Sequence, residues 1–228
     1  MLEFQHFIGS SSKVLPTSEK NYLNTIIPKW NREFRMYKAI NHRLILNTPR
    51  FAVFHDRVYD RGKKNRKDYY YLVKPNAVVI LASKPDAILF LRVRRYLTRA
   101  IRYELPGGRV EKGESAIETA KRELEEETGL TSKKWNRIGS TYSLPSITTE
   151  KVDIFSAAIS AKQTATLSVN ARDEGIVDCK FLGFDRVWSI VSRNQVATPI
   201  DGFGVLLFLG GHFSGASHHF CLTNSKQD

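Results

Sequence analysis

The chain has 228 residues, 42% of them apolar, and a formal net charge of +12. That length carries one substantial core with added elements, or two small domains. It has no apolar run near the ~20 residues that span a bilayer. Its two cysteines, Cys179 and Cys221, have neither metal-type spacing nor the density of a disulfide scaffold.

The first stretch, "MLEFQHFIGSSSK", lacks a basic segment followed by a long apolar one, so no secretory signal is expected. The expected compartment is the cytoplasm. A short helix interrupted near Pro28 is expected within Ser18–Ile40. Strands follow at "RLILN", "RFAVFHDRVY" and "DYYYLVK", with a turn in "DRGKKNRKD". "NAVVILA" and "AILFLRV" read as a buried hairpin joined by "SKPD". The positive charge gathers in Asp56–Asp68 and in Arg92, Arg94, Arg95, Arg99 and Arg102. Such charge suits a solvated face or attraction of phosphorylated molecules. Neither zinc-finger spacing nor an RNA-binding aromatic motif is present, so nucleic acid is not the favoured partner.

"YELPGGRVEKGE" leaves a strand and enters a loop. "GGRVEKGES" imitates a phosphate-binding loop, but Glu114 stands where lysine is required, and a carboxylate there repels phosphate. Ser115 and Glu118 form a capping-box pattern, Ile117, Ala120 and Leu124 one apolar stripe, and Gly129 a helix stop. Within that helix, Glu123, Glu126 and Glu127 fall at i, i+3 and i+4 and converge. They repel one another, and they face the negative end of the helix dipole. Hard divalent cations such as Mg²⁺ or Mn²⁺ would relieve that repulsion through oxygen ligands. A solvated acidic helix end is the bland reading of the same run.

More strands are expected in "WNRIGSTYSL", "KVDIFSAAIS" and "IVDCKFLGF", and a last helical region within Phe184–Leu209. The histidines and cysteine of the tail (His212, His218, His219, Cys221) fit no standard zinc spacing. Trp30, Phe51 and Tyr59 are candidates for stacking a base, or core residues. Helices among mixed strands, without regular alternation, indicate an α+β or mixed α/β layered domain.

Gly108, Glu114 and the run Arg122-Glu123-Leu124-x-Glu126-Glu127-x-Gly129-Leu130 resemble the complete Nudix box of the Nudix hydrolases. The resemblance implies the Nudix fold, an α/β/α sandwich around a mixed sheet. It implies metal-dependent hydrolysis of a nucleoside diphosphate linked to another group. By position, Glu123, Glu126 and Glu127 are the implied metal ligands, joined by the Gly107 carbonyl. Arg122 orients the glutamates, and Glu114 is more structural. "YELPGGRVEKGES", the strand-rich upstream region and "VKPNAVVILA" resemble the ADP-ribose pyrophosphatase subfamily. That closer likeness implies ADP-ribose as substrate, with AMP and ribose 5-phosphate as products, and a homodimer built through the N-terminal strands. It also implies a substrate role for Glu150, in "YSLPSITTEKVDIFSA". Glu174 in "ARDEGIVDCKFL" becomes the extra metal ligand or catalytic base, with Asp173 second; Glu127 is the other candidate base. The subfamily's glutamine-tyrosine-arginine stretch appears here as "RRYLTR", so Arg95, Arg99 and Arg102 stand in for its substrate arginine. The expected division is an N-terminal extension over 1–74, a catalytic domain over 75–210 and a loose tail over 211–228. Two alternatives keep the fold but change the role: a different diphosphate substrate (a biosynthetic intermediate, a damaged nucleotide or a capped RNA end), or a non-catalytic sensor.

Overall fold

A computed structural model of the chain describes residues 36–213. The expected helix around Pro28, Trp30, and the tail residues His218, His219 and Cys221 lie outside the described residues. Among the described residues two compact units emerge: residues 36–74 with 146–149, and residues 75–145 with 150–213.

The first unit is an antiparallel sheet of β1 (Tyr37–Asn47), β2 (Ala52–Asp60) and β3 (Asn65–Val73), in that order. Tyr37–Ile40, at the end of the segment expected to hold a helix, is thus strand. Its β-branched and aromatic neighbours across the ladder favour the extended chain over a helix. The basic turn between β2 and β3 is fixed by Asp60, which accepts N–H bonds from Gly62 (3.0 Å) and Lys63 (3.1 Å) and pairs with Lys67 at 2.9 Å. Segment 146–149 joins the sheet: Leu72 N donates to Ile147 O at 2.7 Å, and Thr149 N to Leu72 O at 3.1 Å.

The second unit is built on a seven-stranded mixed sheet. Its main path runs β10 (Ile176–Gly183), β5 (Ala87–Arg95), β4 (Ala77–Lys84), β9 (Lys151–Ala158) and β8 (Lys134–Tyr142), with β4 and β9 parallel. Period-two alternation sends neighbouring side chains to opposite faces. Val78, Ile80, Ala82, Leu89, Phe155 and Ala157 meet Ala120 and Leu124 of α1 (Ala116–Thr128) on one side. Leu81, Ile88, Phe90 and Ile154 meet Val187 and Ile190 of α3 (Phe184–Ser192), and Val205 and Leu209 of α4 (Pro199–Phe213), on the other. The result is helix, sheet, helix. A short α2 (Val169–Asp173) precedes β10. The single helical region expected within Phe184–Leu209 is two helices. The chain takes a positive φ of 53° at Asn194, which closes α3, and Pro199 opens α4.

The sheet forks. β4 and β5 pair only beside their hairpin, at Ser83–Ile88 and Lys84–Ala87. Beyond it, β5 takes β6 (Ala100–Glu104) as partner while β4 takes β7 (Gly107–Arg109). The chain crosses the fork at Glu104–Gly107, and Ile80 N donates to Pro106 O there at 2.8 Å. The fork places a short loop whose end lies against Glu123 and Glu127, in the C-terminal half of α1.

Candidate active site

Helix α1 is the platform. Ser115 and Glu118 make both bonds of a capping box, and Gly129 ends the helix in the left-handed region at φ 66°. Leu124 is fully buried on the sheet side, which rotates Glu123 and Glu127 toward the fork and leaves Glu126 more exposed. The Glu127 carboxylate accepts the Gly107 N–H at 2.9 Å. The Glu123 carboxylate lies against Gly108 so closely that a Cβ there would fall 2.0 Å from Oε1. A side chain at 108 would therefore push the Glu123 carboxylate out of its place. At Gly107 a Cβ would meet the Val78 carbonyl at 2.2 Å.

Arg122 binds the set together. Its Nε and Nη2 donate to Glu114 at 2.8 and 3.0 Å, and its Nη1 donates to Glu123 at 3.0 Å and Glu126 at 2.9 Å. Nη2 also reaches the Arg109 carbonyl at 3.3 Å. A bidentate fork of this sort is specific to arginine. Hydrogen bonds from Arg122 and then Thr119 hold the Glu114 carboxyl down to about 2. This fits the structural role implied for Glu114.

The remaining acids are strained electrostatically. Burial pushes Glu127 up to about 8; the Gly107 N–H opposes the rise, and the charges of Glu123, Glu174 and Glu104 add to it. Burial also raises Glu123, against the pull of Arg122, and Glu126 and Glu174 push the same way. Glu174, in the loop between α2 and β10, thus acts on both buried glutamates. That loop is anchored to β5, since Arg94 N donates to Gly175 O at 2.9 Å. Hard cations suit this donor set of carboxylates and a backbone carbonyl. A divalent ion would offset the repulsion that now raises Glu123 and Glu127. Among the described residues, no three acidic, histidine or cysteine side chains already enclose a metal position. Arg122 stands between Glu123 and Glu126, and Glu127 is turned to Gly107, so binding would require side-chain rotation.

The structure gathers Gly107, Arg122, Glu123, Glu126, Glu127 and Glu174. The arginines expected to meet substrate have other partners in the fold, though the Glu127 charge also acts on Arg95. Arg95 forms a two-point ion pair with Glu104, its Nε donating to Oε1 at 2.8 Å and Nη2 to Oε2. Arg102 donates to the Asn194 carbonyl at 2.9 Å. Arg99 is exposed in the turn between β5 and β6, with φ 50°. Glu150 is buried just before β9, and its carbonyl accepts the Ser143 N–H at 3.1 Å. Two buried acids were not foreseen. Glu104 was visible in "ELP" but assigned nothing. Asp201 carried only the signature of a helix start, Thr198-Pro199-x-Asp201.

The ADP-ribose pyrophosphatase of Bacillus subtilis (strain 168) is 41% identical over 99 residues, which are 42% of this chain and 51% of that protein. The chain thus spans about half the length of that curated relative. A solved structure described as an ADP compounds hydrolase superposes with a TM-score of 0.67 at 17% identity, covering 80% of this chain and 97% of the other. That likeness shows the shared mixed-sheet fold. The NUDIX domain family model matches residues 73–199, more than half of the sequence and the whole of the forked sheet's acidic platform, so the chain belongs to the NUDIX family.

Proposed function

We propose that the chain is a metal-dependent pyrophosphohydrolase that cleaves ADP-ribose to AMP and ribose 5-phosphate. The observation that carries this reading is the convergence of Glu123 and Glu127 on the Gly107–Gly108 backbone, with the charge of Glu174 acting on both. It is supported by the likeness of 99 residues to an ADP-ribose pyrophosphatase.

Glu123, Glu126, Glu127 and the Gly107 carbonyl would hold the cations, proposed to be Mg²⁺ or Mn²⁺, with Glu174 at the rim. Bound cations would screen the diphosphate and acidify a water. Glu174 is exposed and acts electrostatically on both buried glutamates. It is better placed than Glu127, whose carboxylate is held by the Gly107 N–H, to take the proton from the attacking water. Arg122 keeps Glu123 and Glu126 aligned. Arg99, Arg102 and the N–H groups of Arg95 not spent on Glu104 are assigned to the phosphates, and Glu150 to positioning substrate. The water oxygen bonds to one phosphorus as the bridging P–O bond breaks, and the two monophosphates leave.

The proposed compartment is the cytoplasm, and no described helix is long and apolar enough to cross a membrane. The proposed assembly is a homodimer, supported by the first unit's exposed apolar side chains on β1.

Incubation of the purified chain with Mg²⁺ and a panel of diphosphate compounds tests the assignment. Equal release of AMP and ribose 5-phosphate from ADP-ribose is expected. Cleavage of capped RNA or another diphosphate alone would replace the substrate. Binding of ADP-ribose without turnover would remove the enzyme assignment altogether.

A further inference from the structure

Asp201 is buried, with 3% of its surface exposed, and lies in the first turn of α4, on the opposite face of the sheet from α1. Two sets of donors meet its carboxylate. Oδ2 accepts Thr198 N (3.0 Å) and Thr198 Oγ1 (2.6 Å), while Asp201 N donates back to Thr198 Oγ1 at 3.3 Å. This is a reciprocal helix cap, and an acid at that position is ordinary there. The second contact is not required by any cap: Oδ1 accepts the N–H of Leu105, nearly a hundred residues earlier, at 3.0 Å.

Leu105 belongs to the segment that crosses the fork, and every backbone group cited from that segment is held from a different element. Leu105 N goes to Asp201, Pro106 O to Ile80 N and Gly107 N to Glu127. Just upstream the chain is strapped by residues 194–197. Arg102 bonds the Asn194 carbonyl, Tyr103 N donates to Gln195 O at 3.2 Å, and Ala197 N donates to Tyr103 O at 2.8 Å. The strap ends at Thr198, where α4 begins. Glu104, between these anchors, is tied to Arg95. Pro106 has no N–H, so Leu105 and Gly107 are successive donors, held by Asp201 and Glu127.

We propose that Asp201 is a positioning residue for the active site: through Leu105 it fixes the backbone from which the Gly107 N–H reaches Glu127, and with it the Gly107 carbonyl that the proposed function gives to the cations. This rests on the proposed hydrolase reading for its catalytic consequence, but the positional claim does not need it. A displacement of the segment by a fraction of an ångström would move both Gly107 groups together, and geometric errors of that size lower turnover more than substrate binding.

The test compares Asp201→Ala, which loses both contacts, with Thr198→Val, which loses the hydroxyl of the cap and leaves the Leu105 contact intact. Three readouts are taken: kcat and KM for ADP-ribose, Mn²⁺ affinity without substrate by electron paramagnetic resonance, and hydrogen-exchange protection of the Gly107 amide by NMR. Asp201→Ala is expected to lower kcat about 10-fold or more with KM within about twofold, to weaken Mn²⁺ several-fold, and to lower Gly107 protection about 10-fold. Thr198→Val is expected to lower Tm but leave kcat and Gly107 protection near those of the wild type. Equal losses in both variants, tracking Tm, would overturn the proposal and reduce Asp201 to a helix cap. If Asp201→Ala does not fold, Asp201→Asn is judged by the same split. A wild-type protein inert toward ADP-ribose would sink the substrate assignment while leaving the Gly107 amide measurement to decide this one.

Discussion

Four glutamates within five positions near a helix C-terminus oppose helix stability on two counts, mutual repulsion and the dipole. The structure divides their work. Glu125 faces solvent, Glu126 pairs with Arg122, and Glu123 and Glu127 are turned inward against Gly108 and Gly107. Glu127→Gln fixes a neutral side chain where burial and neighbouring carboxylates disfavour a charged one. Steady-state assays should show kcat lowered by ~10³-fold or more, while the melting temperature of the metal-free protein stays at or above wild type. Asp201 allows a separate prediction about pH. Burial, reinforced by Glu104, lifts its carboxyl from 3.8 to about 6 against the bonds from Thr198 and Leu105. The folded state then holds the proton longer than the unfolded chain. The sign follows: this contribution is fully present below about pH 3.8 and is lost as pH rises through about 6. Urea midpoints of wild type and Asp201→Asn, measured from pH 4 to 7, should therefore diverge, with wild type losing on the order of 2–3 kcal/mol relative to the variant across that window.

At the scale of elements, α1 was the most legible part of the chain. Its start, stripe and stop are written locally, in Ser115 with Glu118, in Ile117, Ala120 and Leu124, and in Gly129, and the helix runs Ala116–Thr128 between them. Substitution at its ends has calculable costs. Gly129→Ala would place a Cβ 2.8 Å from Thr166 Oγ1 in a left-handed backbone. It should cost roughly 1–2 kcal/mol in chemical denaturation. Ser115→Ala, which removes the hydroxyl that accepts the Glu118 N–H and donates to Glu118 Oε2 but keeps the backbone half of the box, should cost about 1 kcal/mol. The short elements were less legible. β6, β7 and α2 are five, three and five residues long, too brief for a period to declare itself. β7 exists because β4 leaves β5 after two paired residues and needs another neighbour. No feature of "GGR" itself announces a strand. The same holds for Asp201: its capping role is local and was readable, while its bond to Leu105 depends on which helix ends beneath the fork.

At the scale of the whole chain, the box residues and the layered mixed sheet could be read in advance because hydrophobic alternation and charge spacing are local signals that survive folding. The partners of the arginines could not. The subfamily resemblance assigns Arg95 and Arg102 to substrate, yet each also has a neighbour within the fold, Glu104 and the Asn194 carbonyl, chosen by register between β5, β6 and the strap. Charge density tells how many cations a region has, not which are committed. The first unit poses the remaining question of assembly. β1 lies at one edge of its sheet, and Met36, Ile40, Ile45 and Leu46 are each between 45% and 49% exposed. Among the described residues, an edge strand with several half-exposed aliphatic side chains offers apolar area to a second strand. If β1 joins two copies, sedimentation velocity should show a dimer at micromolar concentration. Ile45→Lys combined with Leu46→Glu should shift it to monomer by placing charge on the edge while the second unit keeps its fold, as judged by an unchanged response of melting temperature to Mn²⁺. A wild-type monomer at the highest soluble concentration, or a dimer untouched by the double substitution, would move the interface away from β1.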